Sequence, residues 1–228
     1  MRALVLFSGG LDSTTSLAIA IDKYGKDNVV ALSISYGQKH IKEIEASNNI
    51  AKYYGVEHIY LDLSKIFDYS DCSLLSKNDI DIPKGEYAKQ LEELNGKALS
   101  TYVPFRNGLF LSSAAAIAIS KNCDVIYYGA HADDAAGEAY PDCSEEFTKA
   151  INEAIYLGSG KKVSVIGPFV NMHKKDIVKI GIELKVPYEL TWSCYEGHDK
   201  ACGKCGTCID RKKAFIENGL IDPIKYEE

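Results

Sequence analysis

Ser8-Gly9-Gly10-Leu11-Asp12-Ser13-Thr14-Thr15 stands directly behind a short apolar run, Ala3-Leu4-Val5-Leu6-Phe7, and ahead of apolar positions at helical spacing, Leu17, Ile21 and Tyr24. The stretch reads as a strand, a glycine turn and the opening of a helix. Glycines let the backbone take positive φ and come close to a ligand. The unpaired amides of a helix start, with the helix dipole behind them, favour an anion. Ser8, Ser13 and Thr14 add hydroxyl donors. Asp12 fits beside a phosphate only if it caps the helix amides or holds a Mg²⁺ that bridges to the phosphate. Two other nucleotide loops are excluded. No Gly-Lys pair has a glycine five residues before it, and no G-x-G-x-x-G occurs.

Outward from this loop, strand and helix patterns alternate. Val29–Ile34 and His58–Leu63 read as strands, with a helix over Lys39–Tyr54 between them that stops at Gly55. Further strands are expected at Val125–Tyr128 and Val163–Ile166. Helices are expected at Arg106–Lys121, Cys143–Leu157 and Lys174–Leu184. Ser64–Val103 is more polar, without a dominant period, and is taken as an insertion or flap over the site. The alternation predicts an α/β fold, a doubly wound and mostly parallel sheet covered on both faces.

The last segment, from about Trp192, is different. Cys194, Cys202, Cys205 and Cys208 have the spacing C-x₇-C-x₂-C-x₂-C. Four thiolates within fifteen residues can surround one tetrahedral Zn²⁺ in a closed, structural site. An iron–sulfur cluster also accepts C-x₂-C-x₂-C. His198 is expected to be exposed, and the scattered Cys72, Cys123 and Cys143 to be small packed residues. The predicted organisation is an α/β domain over 1–190 with a small metal-binding appendage over 191–228.

The 228 residues are 46% hydrophobic and 25% charged, which suits a globular chain with a full core, and the net charge is −6. That balance argues against a nucleic-acid partner, because phosphate backbones are met by basic surfaces. A small anionic ligand needs only a few local groups. No run of about 18 apolar residues exists, and Met1–Phe7 is too short for a signal peptide. No membrane partner is expected, and the location is read as cytoplasmic.

Candidate ligand contacts follow the strands, since ligands bind at strand carboxyl ends in such sheets. Arg106 opens a helix where the dipole disfavours a cation unless an anion is present, and its planar fork suits a carboxylate or phosphate. His131, Asp133 and Asp134 follow the Val125–Tyr128 strand, placed to hold Mg²⁺ or substrate. Glu138 and Asp142 can accept from a purine-like N1–H and exocyclic amine, with Tyr140 stacking. Asp142 is equally a good N-cap for the helix that follows. Lys174 or its neighbour Lys175 is placed to reach phosphates. Ser35–His40 lies where an adenine or ribose would rest.

The Ser8-Gly9-Gly10-x-Asp12-Ser13 string resembles the PP-loop of the N-type ATP pyrophosphatases. The resemblance implies a sheet of the adenine nucleotide α-hydrolase type. ATP would lie along Phe7, Ser8, Gly9, Gly10, Leu11, Asp12, Ser13, Thr14, Thr15, Ser16 and Leu17, with attack at the α-phosphate and release of pyrophosphate. Further strings follow in chain order. They are Val103-Pro104…Arg106-Asn107, His131-Ala132-Asp133, Tyr140-Pro141-Asp142-Cys143, Thr191-Trp192-Ser193-Cys194-Tyr195 and Cys202-Gly203-x-Cys205-x-x-Cys208. Together with the loop they resemble the 7-cyano-7-deazaguanine synthase family of the queuosine pathway. Phe105 departs from the pattern, since many relatives have glycine there.

This second resemblance implies a ligase forming C–N bonds. 7-Carboxy-7-deazaguanine would be adenylated by ATP and aminated by free ammonia. The amide would then be adenylated again to leave as the nitrile, with AMP and pyrophosphate released. It implies Asp12, Arg106 and Lys174 as catalytic residues, and Arg106, His131, Asp133, Glu138, Tyr140 and Asp142 on the substrate. It also implies one structural Zn²⁺ on Cys194, Cys202, Cys205 and Cys208, Mg²⁺ with ATP, and a homodimer. The alternatives are a relative that stops at the amide or transfers the activated deazaguanine, a tRNA-modifying PP-loop enzyme such as a thiolase, and a nucleotide- or zinc-binding module without turnover.

Overall fold

A computed structural model describes residues 1–39, 42–85, 99–135, 140–196 and 199–227. Five strands form one sheet: β1 (Ala3–Leu6), β2 (Val29–Ser35), β3 (Glu57–Asp62), β4 (Val125–Tyr127) and β5 (Ser164–Ile166). Their order is β3-β2-β1-β4-β5, and every pairing is parallel. Ala3 stands opposite Val29 on one side and Val125 on the other, so β1 is the central strand.

β1 is apolar at every position because both of its faces are covered. Leu4 and Leu6, with Val30, Leu32 and Ile126, pack under α3 (Arg106–Ser120) through Leu111, Ala114 and Ala118. Ile155 of α5 (Glu145–Gly158) closes the same layer. The alternate residues Ala3, Val5 and Phe7 face the other way. They meet Leu17 and Ala20 of α1 (Leu11–Tyr24) and Ile50 and Ala51 of α2 (Lys42–Tyr54). The doubly wound arrangement thus follows from a period-two pattern with no polar face.

The expected boundaries shift where a local bond competes. The helix expected from Cys143 starts at Glu145, because Pro141–Cys143 forms a 3₁₀ turn. Ser144 then caps the helix, its hydroxyl accepting from the Phe147 amide at 3.1 Å. Asp142 is therefore not the cap of that helix. A one-turn α4 (Ala132–Ala135) follows β4.

Two further helices complete the chain, α6 (Lys174–Glu183) and α7 (Gly206–Glu217). Ala214 and Phe215 of α7 pack with Ile177 and Val178 of α6 and with Leu11 and Ala18 of α1. The cysteine-bearing segment is thereby built onto the main sheet. Arg211, 1% exposed, organises the segment internally and reaches the main domain at the Tyr188 carbonyl. Its guanidinium donates to both Asp222 oxygens at 2.7 and 3.0 Å, to the Thr191 hydroxyl at 2.7 Å and to the Tyr188 carbonyl at 3.1 Å. Removing one partner of a buried, bidentate pair strands the other charge, at a cost of about 3–5 kcal/mol. Arg211→Ala is therefore expected to lose about that much stability in urea unfolding, whereas Lys149→Ala, which removes the solvent-screened Lys149–Glu145 pair, should leave the unfolding midpoint close to wild type.

Candidate active site

The chain runs β1, β2, β3 outward to one edge and returns to β4 on the other side of β1. Strand order reverses between β1 and β4, and the crevice beyond their carboxyl ends is where such folds bind ligands. The phosphate loop lies there. Gly129, behind β4, approaches the loop so closely that a Cβ on it would stand 3.2 Å from the Ser13 amide nitrogen.

Within the loop the hydroxyls brace the backbone. The Ser8 amide donates to Ser13 Oγ at 3.2 Å, and the Thr14 hydroxyl donates to the Gly10 carbonyl at 2.7 Å. α1 opens at Gly10 without any side-chain cap, so Asp12 does not serve as one. The first-turn amides are left for a ligand. Phe7, Ser8, Gly10, Leu11, Asp12 and Ser13 line the cleft. The rest of the expected ATP-binding stretch turns inward. Thr15 hydrogen-bonds Tyr188 at 2.8 Å, and Ser16 and Leu17 are 0% exposed, since helical periodicity takes each of them beneath the loop. Thr15, Ser16 and Leu17 therefore support the loop from inside.

Asp12 instead points across the cleft. Its Oδ2 lies 3.4 Å from Lys174 Nζ and 3.8 Å from His131 Nε2, while its Oδ1 is buried without a partner. Burial works against the Lys174 ammonium, but Asp12, Asp134 and Asp210 outweigh it and hold its pKa up at about 12. Lys174 thus stays charged beside the loop, whereas Lys175 is exposed. Lys174→Met should lower kcat/KM for ATP turnover by about 10²-fold, the scale of one preorganised charge contact. Lys175→Met should change it less than about threefold. Equal losses in both variants would reassign the phosphate contact.

Asp133 is engaged within the protein. Burial would raise its pKa, but bonds from His173 Nδ1 (2.7 Å) and the Lys174 amide (2.8 Å) hold it below the usual carboxylate range. It thereby fixes the start of α6 and the origin of Lys174. His131, 1% exposed, lies between Asp133 (3.8 Å) and Asp134 (3.3 Å). Asp142 is buried and accepts from the Asn107 amide at 2.8 Å, which caps α3 from outside that helix. Glu138 and His198 lie outside the described residues.

Arg106 and Tyr140 both line the cleft. The Arg106 guanidinium sits 5.3 Å from the Tyr36 ring centroid, and Tyr140 Oη is 2.7 Å from the Thr101 hydroxyl. Phe105 takes φ 54° and ψ 28°, the left-handed region that favours glycine. Its ring turns outward, 57% exposed and edge-on to Phe147 at 5.9 Å, so the backbone keeps a glycine's path and the cleft is not filled. Ser35, Tyr36 and Gln38 also border the cleft, as do Leu74 and Thr101 of the insertion. The sequence reading missed Glu43, Trp192 and Tyr195, which line it too. Applying the strand-end rule to the loop behind β2 reaches Glu43, but no motif marks it.

Sγ atoms of Cys194, Cys202, Cys205 and Cys208 all lie within 4.8 Å of one another and could hold a metal ion. Four thiolates around one tetrahedral ion stand about 3.8 Å apart. Backbone amides already point at the sulfurs, Cys202 to Cys194 and Cys205 to Cys202, each at 3.3 Å. The cluster is coupled to the phosphate loop: the Trp192 amide donates to the Gly9 carbonyl at 3.0 Å, two residues before Cys194.

A phosphate loop at the switch point of a parallel sheet, faced by a half-buried lysine, makes this a nucleotide-binding enzyme of the PP-loop class. A solved structure of NMN synthetase from Francisella tularensis has the same fold, with a TM-score of 0.51 over 96% of this chain and 77% of that one at 15% identity. The model of the family described as "Queuosine biosynthesis protein QueC" matches residues 2–219, and the chain belongs to that family. It is 43% identical to a 7-cyano-7-deazaguanine synthase from Archaeoglobus fulgidus, over all of this chain and 91% of that protein. It is 41% identical to one from Pseudoalteromonas atlantica, over 99% of both. As a member of the family it is an ATP-dependent, ligase-type enzyme of queuosine biosynthesis.

Proposed function

We propose that the chain converts 7-carboxy-7-deazaguanine and ammonia to 7-cyano-7-deazaguanine through an adenylated acid and an adenylated amide, releasing AMP and pyrophosphate in each activation. The observation that carries this reading is one cleft lined by the phosphate loop, the Asp12–Lys174 pair and the Arg106 guanidinium. A carboxylate is a poor electrophile. Binding it on Arg106 beside the α-phosphate lets its oxygen displace pyrophosphate, which turns that oxygen into a leaving group. The protein supplies position and charge neutralisation. Asp12, with one buried oxygen lacking a partner, suits a Mg²⁺ that travels with ATP. Tyr140 suits stacking on the deazapurine, and Glu138, Asp142 and His131 remain proposed contacts to it.

The four cysteines suit one structural Zn²⁺, since all are buried and leave no open position. The chain's organisation is proposed as an ATP-binding unit over 1–190 and a metal-binding segment over 191–228, joined by the packing of Ala214 and Phe215 and by the Arg211 bond to the Tyr188 carbonyl. Free ammonia, a homodimer and a cytoplasmic location complete the proposal. Among the described residues no helix is long and apolar enough to cross a membrane.

The test is a single incubation with MgATP, ammonium and 7-carboxy-7-deazaguanine, followed by mass spectrometry. Nitrile with AMP is expected. Amide as the final product would move the chain to the amide-stopping reading, and absence of nucleotide cleavage would overturn the proposed substrate.

A further inference from the structure

Glu43, the second residue of α2 behind β2, lines the same cleft as the phosphate loop and Arg106. Gly9 holds it there. With φ at +82°, a Cβ on Gly9 would stand 2.5 Å from the Ser47 amide nitrogen and 2.9 Å from the Glu43 carbonyl oxygen. Only a glycine lets α2 pack this close, so loop and Glu43 are placed as one unit. The charged and titratable groups that act on Glu43 are Arg106 from α3 and Tyr36 from behind β2. Its neighbour Lys42 turns away, to Asp199 at 3.4 Å and over the Trp192 ring. Across the cleft, Asp12 and Lys174 are engaged with each other. Burial raises the Glu43 pKa to about 7, with Arg106 opposing.

We propose that Glu43 is the general base of this site, taking the protons that nitrogen sheds when the amide and then the nitrile are formed. This rests on the function proposed above. In the first step ammonia forms a C–N bond to the acyl-adenylate carbonyl. The C–O bond to AMP breaks, and a proton from nitrogen passes to Glu43 and on to water. In the second step the O-adenylated amide loses both protons of its nitrogen. One N–H electron pair becomes the second π bond of the nitrile, and the C–O pair leaves with AMP. The substrate carboxylate, held on Arg106, brings the reacting carbon to the Arg106 side of the cleft. That places Glu43 near the reacting nitrogen rather than at the distal pyrimidine edge.

The test uses full-length Glu43→Gln. Acid-dependent exchange of pyrophosphate into ATP is expected within about threefold of wild type. Nitrile formation should fall at least 100-fold, the lower end of a general-base contribution. Hydroxylamine, a neutral nucleophile near pH 7, should still trap the acyl-adenylate as hydroxamate. With the preformed amide as substrate, which needs no ammonia, wild-type kcat should fall tenfold per pH unit below about 7, as Glu43 takes up its proton. Glu43→Gln should lack that limb. Nitrile formation within threefold of wild type with an unchanged pH profile would overturn the proposal, and so would exchange that falls as far as nitrile formation. Absence of nitrile from the wild-type protein would instead sink the function on which it rests.

Discussion

Asp12→Asn is expected to lower nucleotide turnover by about 10³-fold while the protein stays folded. The choice of asparagine decides between two roles. As a helix cap asparagine serves as well as aspartate, so a capping Asp12 would tolerate it. The structure shows no side-chain cap at this helix, and instead Asp12 Oδ2 faces Lys174 at 3.4 Å with Oδ1 buried and unpartnered. The amide keeps the shape and removes the charge. A Mg²⁺ held by Asp12, as proposed, would lose an anionic ligand, and Lys174 loses the first of the carboxylates that hold it protonated. Loss of one preorganised electrostatic contact is worth about 10²–10³ in kcat, and here one substitution touches two. Unfolding free energy should change by less than about 1 kcal/mol. Pyrophosphate release measured beside urea unfolding checks both halves. Wild-type turnover in the variant would return Asp12 to a structural role.

Cys205→Ser should produce the largest loss of stability. A serine hydroxyl does not deprotonate near neutral pH, so it is no substitute for thiolate. Structural zinc in isolated peptides binds with roughly 10–16 kcal/mol, and removing one ligand of four forfeits much of it. We expect metal content to drop from one per chain to near zero, and stability to fall by more than about 4 kcal/mol. The consequence is not confined to the cluster. Cys205 is the N-cap of α7, the helix that carries Arg211, and its neighbour Lys204 accepts from the Gly85 amide of the insertion. Trp192, on the other arm, holds the Gly9 carbonyl. Activity should therefore fall with the metal, and a chelator acting on the wild-type protein should reproduce both losses. Elemental analysis decides the outcome: one zinc per chain in Cys205→Ser would refute four-ligand binding. Iron with sulfide in the wild-type protein would replace zinc by a cluster.

Much of the fold and part of the site were legible in the residues. The buried, two-faced character of β1 is written in five consecutive apolar residues. The loop is written in two glycines with hydroxyls at fixed offsets, and the four-cysteine group in the spacing of its members. Each is a local pattern, set by the 3.6 and 2.0 residue periods and by ligand geometry, so a linear reading recovers it.

What the linear reading could not assign is what each polar side chain meets across the fold. Asp142 looked like the cap of the helix after it and proves to cap α3, 35 residues earlier in the chain. Asp133 anchors the Lys174 amide from 41 residues away, a contact no local pattern announces. Thr15, Ser16 and Leu17 share a motif with Ser8 and Asp12 yet turn beneath the loop. Glu43 carried no signal, because its environment is made by Gly9, Arg106 and Tyr36 from three other elements. The sequence by itself determined the class of fold, the phosphate loop and the four clustered thiols, because those depend on short-range periodicity and spacing. Only the tertiary structure decided which carboxylates are spent on backbone amides and which face the cleft, because hydrogen-bond partners and burial are properties of distant segments brought together.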